Sequence, residues 1–207
     1  VLPPYTPVTV DGRTVGVVLR EYEVGGLGLW TSVRARGNTT GPKELLARPI
    51  RLVVNGGEPL AGSGAFVETD DLKAVYQGEA EHAAVHVKTR CVTEFDGCMK
   101  VEMTLQPTGE TLQDLMLEIP LRDDMAPLWH MLTTNIRSNP AGFTPAGKGL
   151  VWDSTRKRDR GWPGNFKHYL WFGAEERGLC WFADNEAGWV MDWNEQPPCQ
   201  TLHRENG

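Results

Sequence analysis

The stretch KHYLWFGAEERGLCWFADNEAGWVMDW, Lys167 to Trp193, decides the fold of this chain. Two short apolar runs flank a polar turn that ends at Gly178. Aromatic residues fit a pleated surface, and glycine supplies the positive φ of a tight loop, so the stretch predicts a β-hairpin. If Gly173 lies opposite Gly178, the cross-strand pairs are Phe172 with Leu179, Trp171 with Cys180, Leu170 with Trp181, and Tyr169 with Phe182.

Alternation along the two strands predicts that both faces of this hairpin are apolar. One face carries Leu170, Phe172, Leu179 and Trp181, and the other carries Tyr169, Trp171, Cys180 and Phe182. A hairpin with one solvated face would carry polar residues on that face. We therefore expect a covering layer on each side, with Tyr169, Trp171 and Phe182 at a domain interface.

The composition is that of a globular protein and argues against two classes of partner. The chain has 207 residues, of which 40% are hydrophobic, and a net charge of -6. A nucleic-acid partner would need a basic face, so none is expected. No apolar run approaches the roughly 20 residues that span a bilayer, so no membrane partner is expected either.

Strand-like segments follow one another at short spacing along the whole chain. Asp96-Gly97 between two such segments is the strongest hairpin signal. A helical turn is expected at Glu44 to Ala47, and Asp123 to Thr133 is expected to be an extended segment or a single turn because Pro127 lies inside it. Asn139 to Gly149 and Arg156 to Asn165 are expected to be loops. The pattern predicts a single domain over residues 1–207, an all-β, two-layer antiparallel β-sandwich with few or no helices.

Some residue clusters look like known motifs but lack the required spacing. Gly25, Gly26 and Gly28 lack the GxGxxG spacing of a phosphate loop, so a bulge or a close backbone approach is expected. His82 and His86 are four residues apart in a strand-like context, where they would not face a shared metal. We expect no metal, no cofactor and no serine nucleophile of the G-x-S-x-G type.

The four cysteines match no zinc or redox spacing. With a two-residue turn at Asp96-Gly97, Cys91 would lie opposite Glu102 and Cys98 opposite Phe95. The two sulfurs would then be too far apart along the ladder for a disulfide. Free thiols are expected at all four positions, Cys91, Cys98, Cys180 and Cys199.

Several stretches together resemble a known family. They are YLWFGAEERGLCWFADNEAGW (169–189), ELLARPIRLVVNG (44–56), TEFDGCMKVEMTL (93–105) and LMLEIPLR (115–122). They resemble bacterial glycoside-hydrolase-like proteins in which a supersandwich, galactose-mutarotase-like β-sandwich precedes a (β/α)8 barrel. Some relatives in that group are β-N-acetylhexosaminidases.

The resemblance implies a partner and a place for the chemistry. The acid/base carboxylates of such enzymes lie on the barrel, so no catalytic residue is assigned to this chain. Gln200 to Arg204 is predicted to be a strand and Asn206-Gly207 a turn, so we expect a truncation at a hairpin tip before a missing C-terminal barrel. Polysaccharide degradation implies a secreted or periplasmic protein.

Tryptophan is concentrated near the end of the chain, where six of the eight lie between residues 152 and 193. Flat aromatic rings suit the C–H faces of sugars as well as a core. The candidate carbohydrate-binding residues are Trp152, Trp162, Trp189, Asp184 and Glu186. The basic run Arg156 to Arg160 is a candidate groove for an anionic glycan.

Three functions remain open from the sequence. The first is a non-catalytic domain that packs on a catalytic barrel and shapes its cleft. The second is a stand-alone carbohydrate-binding module that uses exposed tryptophans. The third is a sandwich enzyme of the mutarotase or polysaccharide-lyase type.

Overall fold

The computed structural model describes residues 1–132, 139–155, 166–185, 187, 189 and 198–205. Within these residues there are seventeen β-strands, numbered in chain order, and one short 3₁₀ turn at Asp123–Met125, with no α-helix. The predicted all-β class is therefore confirmed. The chain divides into two compact units, Val1–Arg122 and Asp123–Gly207. Trp162, Glu186 and the basic run 156–160 lie outside the described residues.

The first unit contains two larger antiparallel sheets and one small one. The five-stranded sheet runs in chain order through β1 (Thr9–Asp11), β2 (Thr14–Val17), β3 (Arg20–Val24), β4 (Trp30–Arg36) and β5 (Pro42–Glu44). The four-stranded sheet contains β7 (Ser63–Thr69), β8 (Lys73–Glu81), β9 (Val85–Glu94) and β10 (Met99–Pro107). The small sheet pairs β6 (Arg51–Val54) with β11 (Leu115–Glu118).

The two larger sheets meet through side chains that alternate inward along their strands. The Thr89 hydroxyl on β9 donates to the carbonyl of Leu27 at 2.6 Å, and the Tyr22 hydroxyl on β3 donates to the carbonyl of Gly97 at 3.0 Å. The buried apolar residues of this unit include Val15, Tyr22, Val33, Leu52, Val54, Val75, Val85 and Val87. Burial of these side chains is the main stabilising contribution to the unit.

The glycines that precede β4 mark a close approach of two backbones, as the sequence predicted. A Cβ atom at Gly78 would lie 2.5 Å from the carbonyl oxygen of Gly26 and 2.9 Å from the Cα of Leu27. A Cβ atom at Gly28, whose φ is +78°, would lie 2.6 Å from the Cys91 sulfur. Only glycine leaves the space that this crossing of the two sheets needs.

Two local predictions for the first unit were wrong. The β9–β10 register places Cys91 opposite Val101, one residue away from the predicted Glu102, because the loop has three residues and Gly97 has a φ of +87°. Such a loop ends with a left-handed glycine. The expected helical turn at Glu44 to Ala47 is instead the end of β5 and a β-bridge from Leu46 to Leu121. None of the four cysteines forms a disulfide in the described residues, and only Cys91 is buried.

The second unit contains a four-stranded sheet in the order β13-β12-β15-β16 and a two-stranded sheet of β14 and β17. Their bounds are β12 Leu128–Met131, β13 Ala141–Phe143, β14 Gly149–Asp153, β15 Tyr169–Gly173, β16 Gly178–Phe182 and β17 Thr201–Arg204. The hairpin of β15 and β16 has the register that the sequence predicted, from Gly173 opposite Gly178 to Tyr169 opposite Phe182. The expected loop at residues 139–149 contains strand β13, which the sequence did not predict.

Candidate functional site

One face of the four-stranded sheet forms the core of the second unit. Trp129 and Met131 of β12 and Trp152 of β14 are buried together, and Leu170, Phe172 and Leu202 pack against them. Trp152 is only 4% exposed. Stacking on a sugar requires an accessible ring, so the structure places Trp152 in the core and not on a binding surface.

The opposite face of the same sheet is also apolar, and we call it the aromatic face. Strand pairing and alternation place the following residues on it: Leu128, His130, Phe143, Tyr169, Trp171, Cys180 and Phe182. Phe143 is 82% exposed and Phe182 is 54% exposed, and the other five are partly exposed. The predicted interface residues Tyr169, Trp171 and Phe182 thus lie on a single face.

The indole of Trp171 rests directly on two glycines at the closed end of the hairpin. A Cβ atom added to Gly178 would lie 2.6 Å from the ring atoms Cε2 and Nε1. A Cβ atom added to Gly173 would lie 2.6 Å from Cη2 of the same ring. Gly173 and Gly178 pair with each other across the hairpin. Because they carry no side chains, they form a flat surface against which the indole packs, and we call this surface the glycine seat.

Polar groups lie beside this indole on the aromatic face. His130 is the cross-strand neighbour of Trp171 on β12, and its ring meets the Tyr169 ring edge to face at 5.6 Å. Burial raises the pKa of the Tyr169 phenol, and a hydrogen bond with Cys180 raises it further. The aromatic face therefore combines broad apolar rings with a few hydrogen-bonding groups, as protein interfaces commonly do.

A second aromatic cluster lies on the core side of the sheet, next to Trp181. The Trp189 ring stacks on the Phe166 ring at 4.8 Å with an interplanar angle of 17°, and its edge meets Trp181 at 5.5 Å. Phe166 is 2% exposed, whereas Trp189 is 39% exposed. Asp184, which the sequence grouped with Trp189, is an exposed residue two positions after the end of β16. The structure therefore gives Trp189 a buried support and an accessible ring.

Lys167, the first residue of the deciding stretch, is almost completely buried. Its backbone N–H donates to the side-chain oxygen of Gln200 at 2.6 Å, and the Gln200 amide returns a bond to the Lys167 carbonyl at 2.8 Å. Burial lowers the pKa of the Lys167 amine to about 8, although the neighbouring Cys199 thiol acts in the opposite direction. This amine is the most strongly perturbed basic group in the part of the chain that the structure describes.

Two carboxylates that the structure describes make local structural contacts. Glu176 pairs with Arg177 at 3.3 Å in the hairpin turn. The Glu44 carboxylate accepts bonds from the backbone N–H groups of Val33 and Leu46, both at 2.9 Å, and so fixes the end of β5. Across residues 1–132 and the later described segments, no three His, Cys, Asp or Glu side chains are arranged to hold a metal ion. No helix in those segments is long and apolar enough to cross a membrane.

Sequence reasoning found four of the seven residues of the aromatic face. It identified the residues of β15 and β16, because their alternation is regular and the glycine pair fixes the turn. It missed Phe143, His130 and Leu128, which reach the same face from β13 and β12. The mixed apolar segment before residue 132 was the available signal for β12, but nothing in the Pro- and Gly-rich segment around Phe143 pointed to a strand.

Comparison with known proteins gives one family. The family model described as "Glycoside hydrolase 123, third domain" matches residues 8–186. That range includes both larger sheets of the first unit and the complete hairpin of β15 and β16. No curated protein and no solved structure matches the chain.

Proposed function

Because the chain belongs to the glycoside hydrolase 123 third-domain family, we propose that it is a non-catalytic domain that packs on the catalytic barrel of a polysaccharide-degrading enzyme. The aromatic face is the contact surface in this proposal, and its edge forms part of the wall of the substrate cleft. The observation that carries the proposal is the exposure of two phenylalanines, Phe143 and Phe182, on a sheet face whose reverse side packs into the core of the unit.

The size and chemistry of the aromatic face suit a protein surface as its partner. Phe143 and Phe182 lie on the two outer strands of the sheet, three strand spacings apart. They are also offset by four residues along the strands, because Phe143 lies in one row with Leu128, Gly173 and Gly178. At roughly 4.8 Å per strand spacing and roughly 3.3 Å per residue, the two positions are about 19 Å apart. Contiguous apolar surface of that extent is uncommon on a monomer and marks a site of interaction.

The fixed indole of Trp171 supplies the anchor of such a contact. Interfaces draw much of their binding energy from a few aromatic residues near their centre. Trp171 lies on β15, one of the two inner strands, and its glycine seat holds it in one orientation before any partner arrives. Little side-chain entropy would be lost when a partner covers this ring.

The family supports another domain of the same polypeptide as the partner in this proposal. The description "third domain" implies that proteins of this family carry other domains in the same polypeptide. A neighbouring domain has a high effective concentration, so even a moderate apolar contact stays formed. A catalytic barrel is the domain on which the hydrolase chemistry would depend.

Thiol labelling of the full-length protein tests the docking. Cys180 is a partly exposed residue of the aromatic face, and Cys98 is a partly exposed residue of the first unit. Docking should protect Cys180 from a maleimide reagent, and Phe182→Asp should raise its labelling rate by tenfold or more, about the effect of 1.4 kcal/mol. The labelling rate of Cys98 should not change.

A matched variant shows whether any effect belongs to the aromatic face. Trp189→Ala alters an exposed aromatic ring on the other side of the sheet and should leave the Cys180 rate unchanged. Equal Cys180 labelling rates in the wild type and in Phe182→Asp, with both proteins folded by circular dichroism, would contradict the docking proposal.

A further inference from the structure

We propose that Trp189 is a stacking platform for a pyranose ring, which makes the second unit a glycan-binding module in addition to a docking domain. Trp189 lies on the side of the sheet opposite to the aromatic face, so the two sites can be occupied together. The proposal does not depend on docking.

The platform is built before any ligand arrives. One face of the Trp189 ring stacks at 4.8 Å on Phe166, which is buried, and its edge rests against Trp181 at 5.5 Å. An indole held by two aromatic neighbours keeps one orientation. Its remaining exposure of 39% is the accessible surface on which a ligand would lie. An exposed aromatic residue without such support would lose more entropy on binding.

The surroundings favour a sugar over an apolar protein segment. The stretch between β16 and Trp189 contains Asp184 and Asn185, both exposed. The Asn185 side-chain oxygen accepts the backbone N–H of Ala187 at 2.9 Å, which leaves its amide N–H₂ as a donor and fixes the turn. The exposed carboxylate and amide therefore lie five and four residues before the ring in sequence, and such groups suit the hydroxyls of a pyranose whose C–H face stacks on an indole. The glycosidase family supplies the ligand class.

Saturation-transfer NMR on the full chain tests the platform directly. The probes are methyl β-D-glucopyranoside, methyl β-D-galactopyranoside and cellobiose, with mannitol as an open-chain control of similar polarity. At least one pyranoside should receive saturation on its ring C–H protons, with a dissociation constant of about 1 mM, and mannitol should not. Trp189→Ala should weaken binding about tenfold, and Trp189→Phe should retain part of it.

Two control variants show whether sugar binding depends on Trp189. Phe143→Ala removes the most exposed aromatic ring of the aromatic face and should leave the affinity unchanged. Phe182→Asp, which breaks the proposed docking, should also leave it unchanged, so failure of one proposal is distinguishable from failure of the other. The platform is overturned if none of the three sugars binds, or if folded Trp189→Ala and Trp189→Phe variants bind as the wild type does.

Discussion

Replacement of Lys167 by methionine, which removes a buried amine, is expected to stabilise the second unit at neutral pH. The stabilisation should become smaller at alkaline pH. Lys167 is 2% exposed, and burial lowers its pKa from 10.5 to about 8. The folded state therefore binds this proton less tightly than the unfolded state does. Between pH 7 and 10.5 the unfolded chain carries more protons at this position, so its contribution to the free energy of unfolding rises with pH.

The size of the effect follows from the difference between the two pKa values. That difference is roughly 2.5 pH units, and each unit corresponds to about 1.4 kcal/mol. The charged amine thus costs about 3 kcal/mol at pH 7 and about 1 kcal/mol at pH 10. Lys167→Met keeps the aliphatic stem and removes the charge, so its stabilising advantage over the wild type should shrink by about 2 kcal/mol across that range.

Urea unfolding followed by tryptophan fluorescence measures this difference. Seven of the eight tryptophans lie after residue 122, so the signal reports mainly on the second unit. Lys73→Met, a change in the first unit that is followed by circular dichroism, is the control. The Lys73 ammonium donates to the Glu68 carboxylate at 2.8 Å, which raises the pKa of this partly exposed amine, so the pH effect should have the opposite sign. If the difference in the free energy of unfolding between Lys167→Met and the wild type is the same at pH 7 and pH 10, burial does not lower the pKa of the Lys167 amine.

Two further outcomes follow from the packing. Gly178→Ala places a methyl group against the Trp171 indole. It should lower the free energy of unfolding by about 1–3 kcal/mol in a urea titration. Gly109→Ala, whose added methyl group enters open space, is the control and should change the free energy of unfolding by less than about 0.5 kcal/mol. Burial raises the pKa of the Cys91 thiol to about 12. After iodoacetamide treatment at pH 8, mass spectrometry should therefore find Cys91 unmodified when Cys98 is already alkylated. Equal modification of the two cysteines would contradict the packing around Cys91.

The parts of the fold that sequence reasoning predicted are those where two local signals agree. In the hairpin of β15 and β16, the alternating apolar residues and the facing glycines Gly173 and Gly178 specify the same register. The glycines before β4 were also interpreted correctly. They lack the spacing of a phosphate loop, and glycine in a strand commonly marks a bulge or a close approach of two backbones.

The predictions that failed depended on a single residue or on distant pairing. The Asp96-Gly97 dipeptide indicated a turn correctly, but it did not distinguish a two-residue loop from the three-residue loop that places Cys91 opposite Val101. Strand β13 around Phe143 exists because it pairs with β12, and no local propensity in that Pro- and Gly-rich segment favours it. Phe143 could not be assigned to the aromatic face for that reason.

Pairing of β14 with β17 joins Gly149 to Arg204, near the end of the chain. During synthesis the first unit can complete its sheets while this partner strand is still missing, since all of its own strands precede residue 119. Trp152 gains its neighbour Leu202 only when β17 has been synthesised. A polypeptide that ends before Thr201 would leave the core of the second unit, including Trp152, partly exposed. Chaperones and proteases act on such incompletely folded chains.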